Sequence, residues 1–189
     1  ITKDEYAIII DPANDVKKLN KYLEGKSLVA ILLTHGHYDH FKTLEEILKI
    51  YDVPCYLQKR AKDKIFDLNA SYAKVFGCNK VPSVDQTKFV FVNDNDSIEI
   101  ANFTIKDLYT PGHTDDSVCY IIDNFFFSGD TLFKNSVGRT DLITGNTFKL
   151  GQSLVKIKNL KQDYIIYPGH DGTTSLSSEK KNNPYLKNN

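Results

Sequence analysis

Methionine is absent from all 189 residues. Ile1 is therefore not expected to be the translation start, and a preceding piece, a targeting segment among the options, is expected to have been removed or left out. Cysteine is scarce. Cys55, Cys78 and Cys119 are an odd number with no CxxC spacing, which excludes a disulfide framework. Each reads as a small core filler or an ordinary thiol, and a reducing, cytoplasmic compartment fits best. Neither sign of charge is in excess, with 24 basic and 24 acidic residues. Nucleic-acid binders usually show a basic surplus or stripe, so no nucleic-acid partner is expected. No run approaches the roughly 18 apolar residues of a membrane span, and the N-terminus lacks the charged-then-apolar order of a signal peptide. No membrane partner is expected either, and the oligomeric state is left open. What is present, 41% hydrophobic and 25% charged residues, describes an ordinary globular chain long enough for a sizeable core. Residues 1–189 are read as one domain.

The strand and helix signals alternate at first and then change. "EYAIIID" is a run rich in β-branched residues that ends at Asp11-Pro12. "DVKKLNKYLEGK" places Val16, Leu19 and Leu23 at helical spacing with Gly25 as a stop. "SLVAILLT" is a continuous apolar strand, "TLEEILKIYD" a helix and "VPCYLQ" a short strand. The stretch from Lys59 to Val81 reads as a short helix and a loop. Five consecutive strand-like runs follow, "KFVFV", "SIEIAN", "FTIKDLYT", "SVCYIID" and "NFFFSG", separated by turn signals. "NTFKLGQSLVKIKNL" is helical, "DYIIY" is a last strand, and the polar end is a short helix and tail. Such a block of strands within an alternating chain points to α/β architecture with mixed sheets and helices outside them.

Histidine is also rare, and its five copies are not scattered. "VAILLT" is followed by His35, His37, Asp39 and His40; "IKDLYT" by Pro111-Gly112-His113; "NFFFSG" by Asp130; "DYIIY" by Pro168-Gly169-His170. Every histidine lies just past the C-terminal end of an expected strand, where loops on a rigid sheet display functional groups. His35 and His37, two apart in extended chain, point the same way and can hold one metal ion. A tight bend after them would carry Asp39 and His40 to a neighbouring position. Imidazole with carboxylate suits zinc, iron or manganese, and the absence of cysteine among the candidates argues against a structural zinc knuckle.

Thr34-His35-Gly36-His37-Tyr38-Asp39-His40 resembles the HxHxDH signature of the metallo-β-lactamase fold superfamily, and "TPGHT", "SGDTLF" and "YPGHD" resemble its later motifs in order. The likeness runs from Ile8–Pro12 nearly to the C-terminus. "GDTLF", "GRTDL", "YPGHD" and "EKKNNPYL" are similar to the glyoxalase II-like branch, particularly its short single-domain members. The resemblance implies a four-layer αββα sandwich of two mixed sheets flanked by helices. It implies His35, His37 and His113 on a first metal, Asp39, His40 and His170 on a second, and Asp130 bridging both, with zinc the first choice and iron or manganese the alternatives. It implies hydrolysis of an S-acyl thiol conjugate such as S-lactoylglutathione by water activated between the metals, with Asp39 orienting that water and taking up its proton.

The chain also departs from that pattern. Only 19 residues follow His170, so the helical glutathione-binding domain of long glyoxalase II enzymes is not expected, and the thiol of the substrate stays open. The first strand of the fold is expected to be missing. Lys42 stands where a glycine is common and reads as a solvated helix-start lysine or a charge near the site mouth. Tyr38 reads as packing or substrate contact; Arg139 and Asp141 read as a loop-shaping ion pair or, for Arg139, a substrate contact. The rivals on the same scaffold are a persulfide dioxygenase with one iron, a lactonase, a β-lactamase, a nuclease and a flavin-linked di-iron reductase. Asp130 disfavours the β-lactamase, where cysteine is common, and His37 disfavours the reductase, where glutamate stands. A metal-stabilised binding module is the non-catalytic alternative.

Overall fold

The computed structural model describes residues 1–187, and contacts within the chain gather into two compact units. The first comprises Ile1–Val92 with Ile98–Thr104, the second Asn93–Ser97 with the chain from Ile105 on.

In the first unit, β1 (Thr2–Lys3), β2 (Tyr6–Ile10), β3 (Ser27–Leu32), β4 (Cys55–Gln58) and β5 (Phe89–Val92) form one sheet in that order. β1 pairs antiparallel with β2, and the remaining pairs are parallel. Parallel neighbours need crossovers. These are α1 (Val16–Tyr22), then α2 (Tyr38–Phe41) with α3 (Leu44–Ile50), then α4 (Lys59–Ile65) with a 3-10 turn at Ala73–Phe76. The continuous apolar run of β3 is explained by burial on both faces: Ala30, Ile31 and Leu32 are wholly buried. α1 starts where the Asp15 carboxylate accepts from the N–H groups of Lys17 and Lys18. It is followed by Gly25, in the left-handed region as a stop requires. Ile10 lies level with Leu32, so the loops after β2 and β3 leave the sheet side by side.

The six-stranded sheet has the order β13-β12-β9-β8-β7-β6, built from β6 (Ser97–Ile100), β7 (Phe103–Tyr109), β8 (Val118–Ile122), β9 (Phe125–Gly129), β12 (Ile165–Pro168) and β13 (Thr174–Ser175). A separate hairpin pairs β10 (Leu132–Phe133) with β11 (Ser136–Val137). β7, β8 and β9 are antiparallel in turn, and β12 joins β9 in parallel. β7, β9 and β12 therefore run the same way, and their C-terminal ends emerge at one edge. The crossover to β12 is α5 (Thr147–Lys158), capped by the Asn146 side chain and burying Leu150, Leu154 and Ile157. Each of those side chains contributes roughly 1.5–3 kcal/mol of burial. α6 (Leu176–Asn182) and α7 (Pro184–Lys187) close the described chain.

The structure therefore has the expected class: mixed α/β, with two mixed sheets and flanking helices. The differences are local. β1, β10, β11 and β13 are two-residue strands, too short to carry a period. The first long strand stops at Ile10 because Asp11 takes a positive φ of 49°. Lys42 is exposed, but it caps the end of α2 rather than opening a helix. Among the described residues no helix is long and apolar enough to cross a membrane.

Candidate metal centre

The first unit brings His35, His37, Asp39 and His40 together after β3. His37 keeps extended backbone and then caps α2, so Asp39 and His40 ride on the first turn of a short helix. That helix is the bend expected after the two spaced histidines. The His35 Nε2 and His37 Nδ1 atoms are 3.1 Å apart. Two nitrogens bound tetrahedrally to one ion at about 2.0–2.1 Å would lie roughly 3.3 Å apart, so the pair already has the spacing of two ligands on one metal. The Asp39 and His40 side chains approach to 3.9 Å, Oδ2 to Nε2.

A carboxylate that the sequence reading passed over organises this cluster. Asp11, at the end of β2, accepts from the Thr34 N–H at 2.8 Å, from the Thr34 hydroxyl at 2.6 Å, and from His40 Nδ1 at 2.8 Å. A carboxylate only accepts, so His40 holds its proton on Nδ1 and turns Nε2 the other way. The Thr34 hydroxyl, its hydrogen committed to Asp11, accepts from His35 Nδ1 at 3.1 Å, which directs the His35 Nε2 lone pair toward His37. Outer partners of this kind set the tautomer of metal-binding histidines. On the other side, the Tyr38 N–H donates to the Ser71 carbonyl at 2.9 Å. Tyr72, in the left-handed region, places its ring edge-on to His37 at 5.2 Å.

The second unit brings His113, Asp130 and His170 together. They follow β7, β9 and β12, whose ends share one sheet edge, and the Gly169 N–H donates to the Gly129 carbonyl at 2.9 Å, locking two of those ends in step. His113 Nε2 and His170 Nε2 each lie 3.5 Å from Asp130 Oδ2. One carboxylate oxygen thus sits equally between two imidazoles. The other nitrogen of His113, Nδ1, donates to the Arg139 carbonyl at 2.8 Å, so Nε2 presents its lone pair. His113 and Asp130 are buried, whereas the His170 side chain is 52% exposed. The Pro111-Gly112 turn requires its glycine: φ is 153°, and a Cβ there would overlap Leu150 of α5.

The donors present, imidazole nitrogens and carboxylate oxygens with tautomers set by outer partners, fit divalent zinc, iron or manganese. Buried thiols do not compete. Burial pushes the Cys119 thiol up to about 12 and raises Cys55 further, so both are inert core fillers. Cys78 is only partly buried. It sits beside Tyr38, whose phenol is raised by burial and then by its hydrogen bond with the Cys78 thiol. Tyr38 packs on Phe41 and Phe76. The Arg139 guanidinium donates two hydrogen bonds to Asp141, at 2.6 and 2.7 Å, and holds that carboxyl down near 2.

The sequence profile of the metallo-β-lactamase superfamily matches residues 1–170. The chain belongs to this superfamily. A probable metallo-hydrolase of Bacillus subtilis, YqgX, is 32% identical over 194 residues, covering 98% of this chain and 90% of the relative. The hydroxyacylglutathione hydrolase GloC of Haemophilus influenzae is 29% identical over 188 residues, covering 97% and 88%. Among solved structures, the B3 metallo-β-lactamase BLEG-1 superposes with a TM-score of 0.86 at 32% identity, covering 98% of this chain and 90% of its own. The chain is a metal-dependent hydrolase of this superfamily, with a His/Asp set compatible with a dinuclear centre.

Proposed function

We propose that this hydrolase cleaves small-molecule thioesters of the hydroxyacyl-thiol class, as its similarity to a hydroxyacylglutathione hydrolase suggests. In this reading, which the superfamily resemblance implies, His35, His37 and His113 hold one divalent ion, Asp39, His40 and His170 hold the other, and Asp130 bridges them. When bound, such a pair supplies Lewis acidity and a water acidic enough to attack at neutral pH. The single observation that carries the dinuclear reading is the position of Asp130, 3.5 Å from the donor nitrogen of both His113 and His170.

The protein's own groups have defined tasks. Asp11 and the Arg139 carbonyl accept from the outward nitrogens of His40 and His113, so in the neutral rings the inward nitrogens carry the lone pairs. Asp39 orients the attacking water and accepts its proton. The imidazoles and carboxylates gathered here are committed as ligands or as partners of ligands, so the leaving group must depart without a strong acid. A thiolate, with a thiol pKa of about 8.5, does so readily. This is the chemical support for a thioester over a lactam or a phosphodiester. Tyr38, Lys42 and Arg139 are proposed as substrate contacts at the mouth, which predicts a raised KM on exchange. The proposed setting is the cytoplasm, with neither nucleic acid nor membrane as partner.

The test is metal analysis of the purified protein alongside turnover of S-lactoylglutathione. Two metals per chain with thioester hydrolysis is the expected result. Full metal occupancy without hydrolysis would overturn the reading. One iron with oxygen uptake on a glutathione persulfide would replace it with a dioxygenase.

A further inference from the structure

The "EKKNNPYL" segment, Glu179–Leu186, contributes no ligand to the candidate centre, yet it contains two completely buried polar side chains, Glu179 and Asn183. Such groups are costly to bury unless every bond is made. Here the bonds are made, and their partners are informative. The Glu179 carboxylate accepts from the Asn135 N–H at 2.8 Å, from the Thr174 hydroxyl at 2.6 Å and from Asn183 Nδ2 at 2.9 Å. The two Asn183 Nδ2 hydrogens are shared among three acceptors, the Glu179 carboxylate and the carbonyls of Phe133 and Ser136, the last two at 3.3 and 3.0 Å. Three of these five bonds end on the backbone of one small hairpin, β10–β11. That hairpin has only two residues in each strand and would be marginal alone.

The hairpin joins Asp130 to the Gly138-Arg139 pair. Directly after β11, Gly138 lies so close to Asp130 that a Cβ would overlap its carbonyl oxygen, and that Cβ would also come within 3.1 Å of the His113 Cβ. The next residue, Arg139, supplies the carbonyl that fixes the His113 tautomer. The Arg139–Asp141 fork and the Thr140–Thr147 hydroxyl contact at 2.7 Å brace the far side of the same loop.

We propose that Glu179 and Asn183 are positioning residues for the metal centre, acting through the β10–β11 hairpin on Gly138 and Arg139, and through these on His113 and Asp130. The C-terminal segment is then part of the site's support rather than a tail. This inference rests on the metal-centre reading above.

The experiment loads purified wild type, Glu179→Ala, Glu179→Gln and Asn183→Ala with Co²⁺ and records the visible ligand-field spectrum and the binding isotherm. Circular dichroism verifies folding. Glu179→Ala is expected to weaken Co²⁺ binding about tenfold, the lower end of what loss of a ligand's direct outer partner costs, and to shift the spectrum. Glu179→Gln keeps a carbonyl oxygen for Asn135 and Asn183 and should restore both. Should Glu179→Ala fail to fold, Asn183→Ala carries the test, because the Asn135 and Thr174 bonds to the carboxylate survive in it. Wild-type spectra and affinity in a folded variant would overturn the proposal while leaving the metal-centre reading intact. A wild type that takes up no Co²⁺ would overturn that reading itself.

Discussion

Asp107 offers a quantitative test of how burial acts in this protein. It lies on β7, where residues 103, 105 and 107 are buried and 104 and 106 are exposed. Asp107 is 2% exposed, and among the described residues neither carboxylate oxygen makes a hydrogen bond of ordinary geometry. Burial, and then the neighbouring charges of Asp96 and Asp94, raise its carboxyl from 3.8 to about 7. In the unfolded chain the group ionises near 3.8, whereas in the folded chain it keeps its proton until about pH 7. Its contribution to stability is thus full below about pH 4, falls as pH rises, and is lost above about pH 7. At about 1.36 kcal/mol per pH unit, the whole excursion is about 4 kcal/mol. Water reaching the carboxylate on local opening lowers this to roughly 2–4 kcal/mol. Asp107→Asn removes the charge at nearly constant volume. In urea unfolding, the variant should be more stable than wild type by roughly 2–4 kcal/mol at pH 8, with the gap shrinking steadily toward pH 5. The quantity to follow is the difference between the two proteins at each pH. A difference that stays constant from pH 5 to pH 8 refutes the argument.

Other expectations are simpler. Asp11→Ala should fold but bind metal about 10- to 100-fold more weakly, because His40 and Thr34 lose their common acceptor; metal titration checks this. Asp130→Ala should abolish thioester hydrolysis, and retained turnover would remove its bridging role. Gly151 lies inside α5 with nothing within 4 Å of an added Cβ, so Gly151→Ala should stabilise by up to about 1 kcal/mol, read as a higher Tm. Gly138→Ala is the opposite case: its Cβ overlaps the Asp130 carbonyl, so metal content per chain should fall while Gly151→Ala leaves it unchanged.

Much of the candidate site was legible because its chemistry is concentrated. Three histidines and an aspartate within six residues after an apolar strand have few bland explanations, and the remaining histidines follow later strands in the same way. Period and breakers located the long elements, such as α5 with Leu150, Leu154 and Ile157 inward. The supporting residues were less legible. Asp11 looks like the end of a strand, and nothing local marks it as an acceptor for Thr34 and His40, which lie 23 and 29 residues on. The Arg139 side chain drew attention as a cation, whereas its contact with His113 is through the backbone carbonyl, which every residue has.

The sequence by itself determined the types of the long elements, the mixed α/β class and the identity of the candidate metal-binding side chains, because periodicity, turn residues and donor chemistry are local properties of the chain. Tertiary structure alone decided which nitrogen of His40 and His113 faces inward, why Gly138 must lack a side chain, and that Asp107, Glu179 and Asn183 are buried. Each of these depends on atoms brought together from distant parts of the chain, and hydrogen-bond partners and excluded volume have no signature in any single stretch.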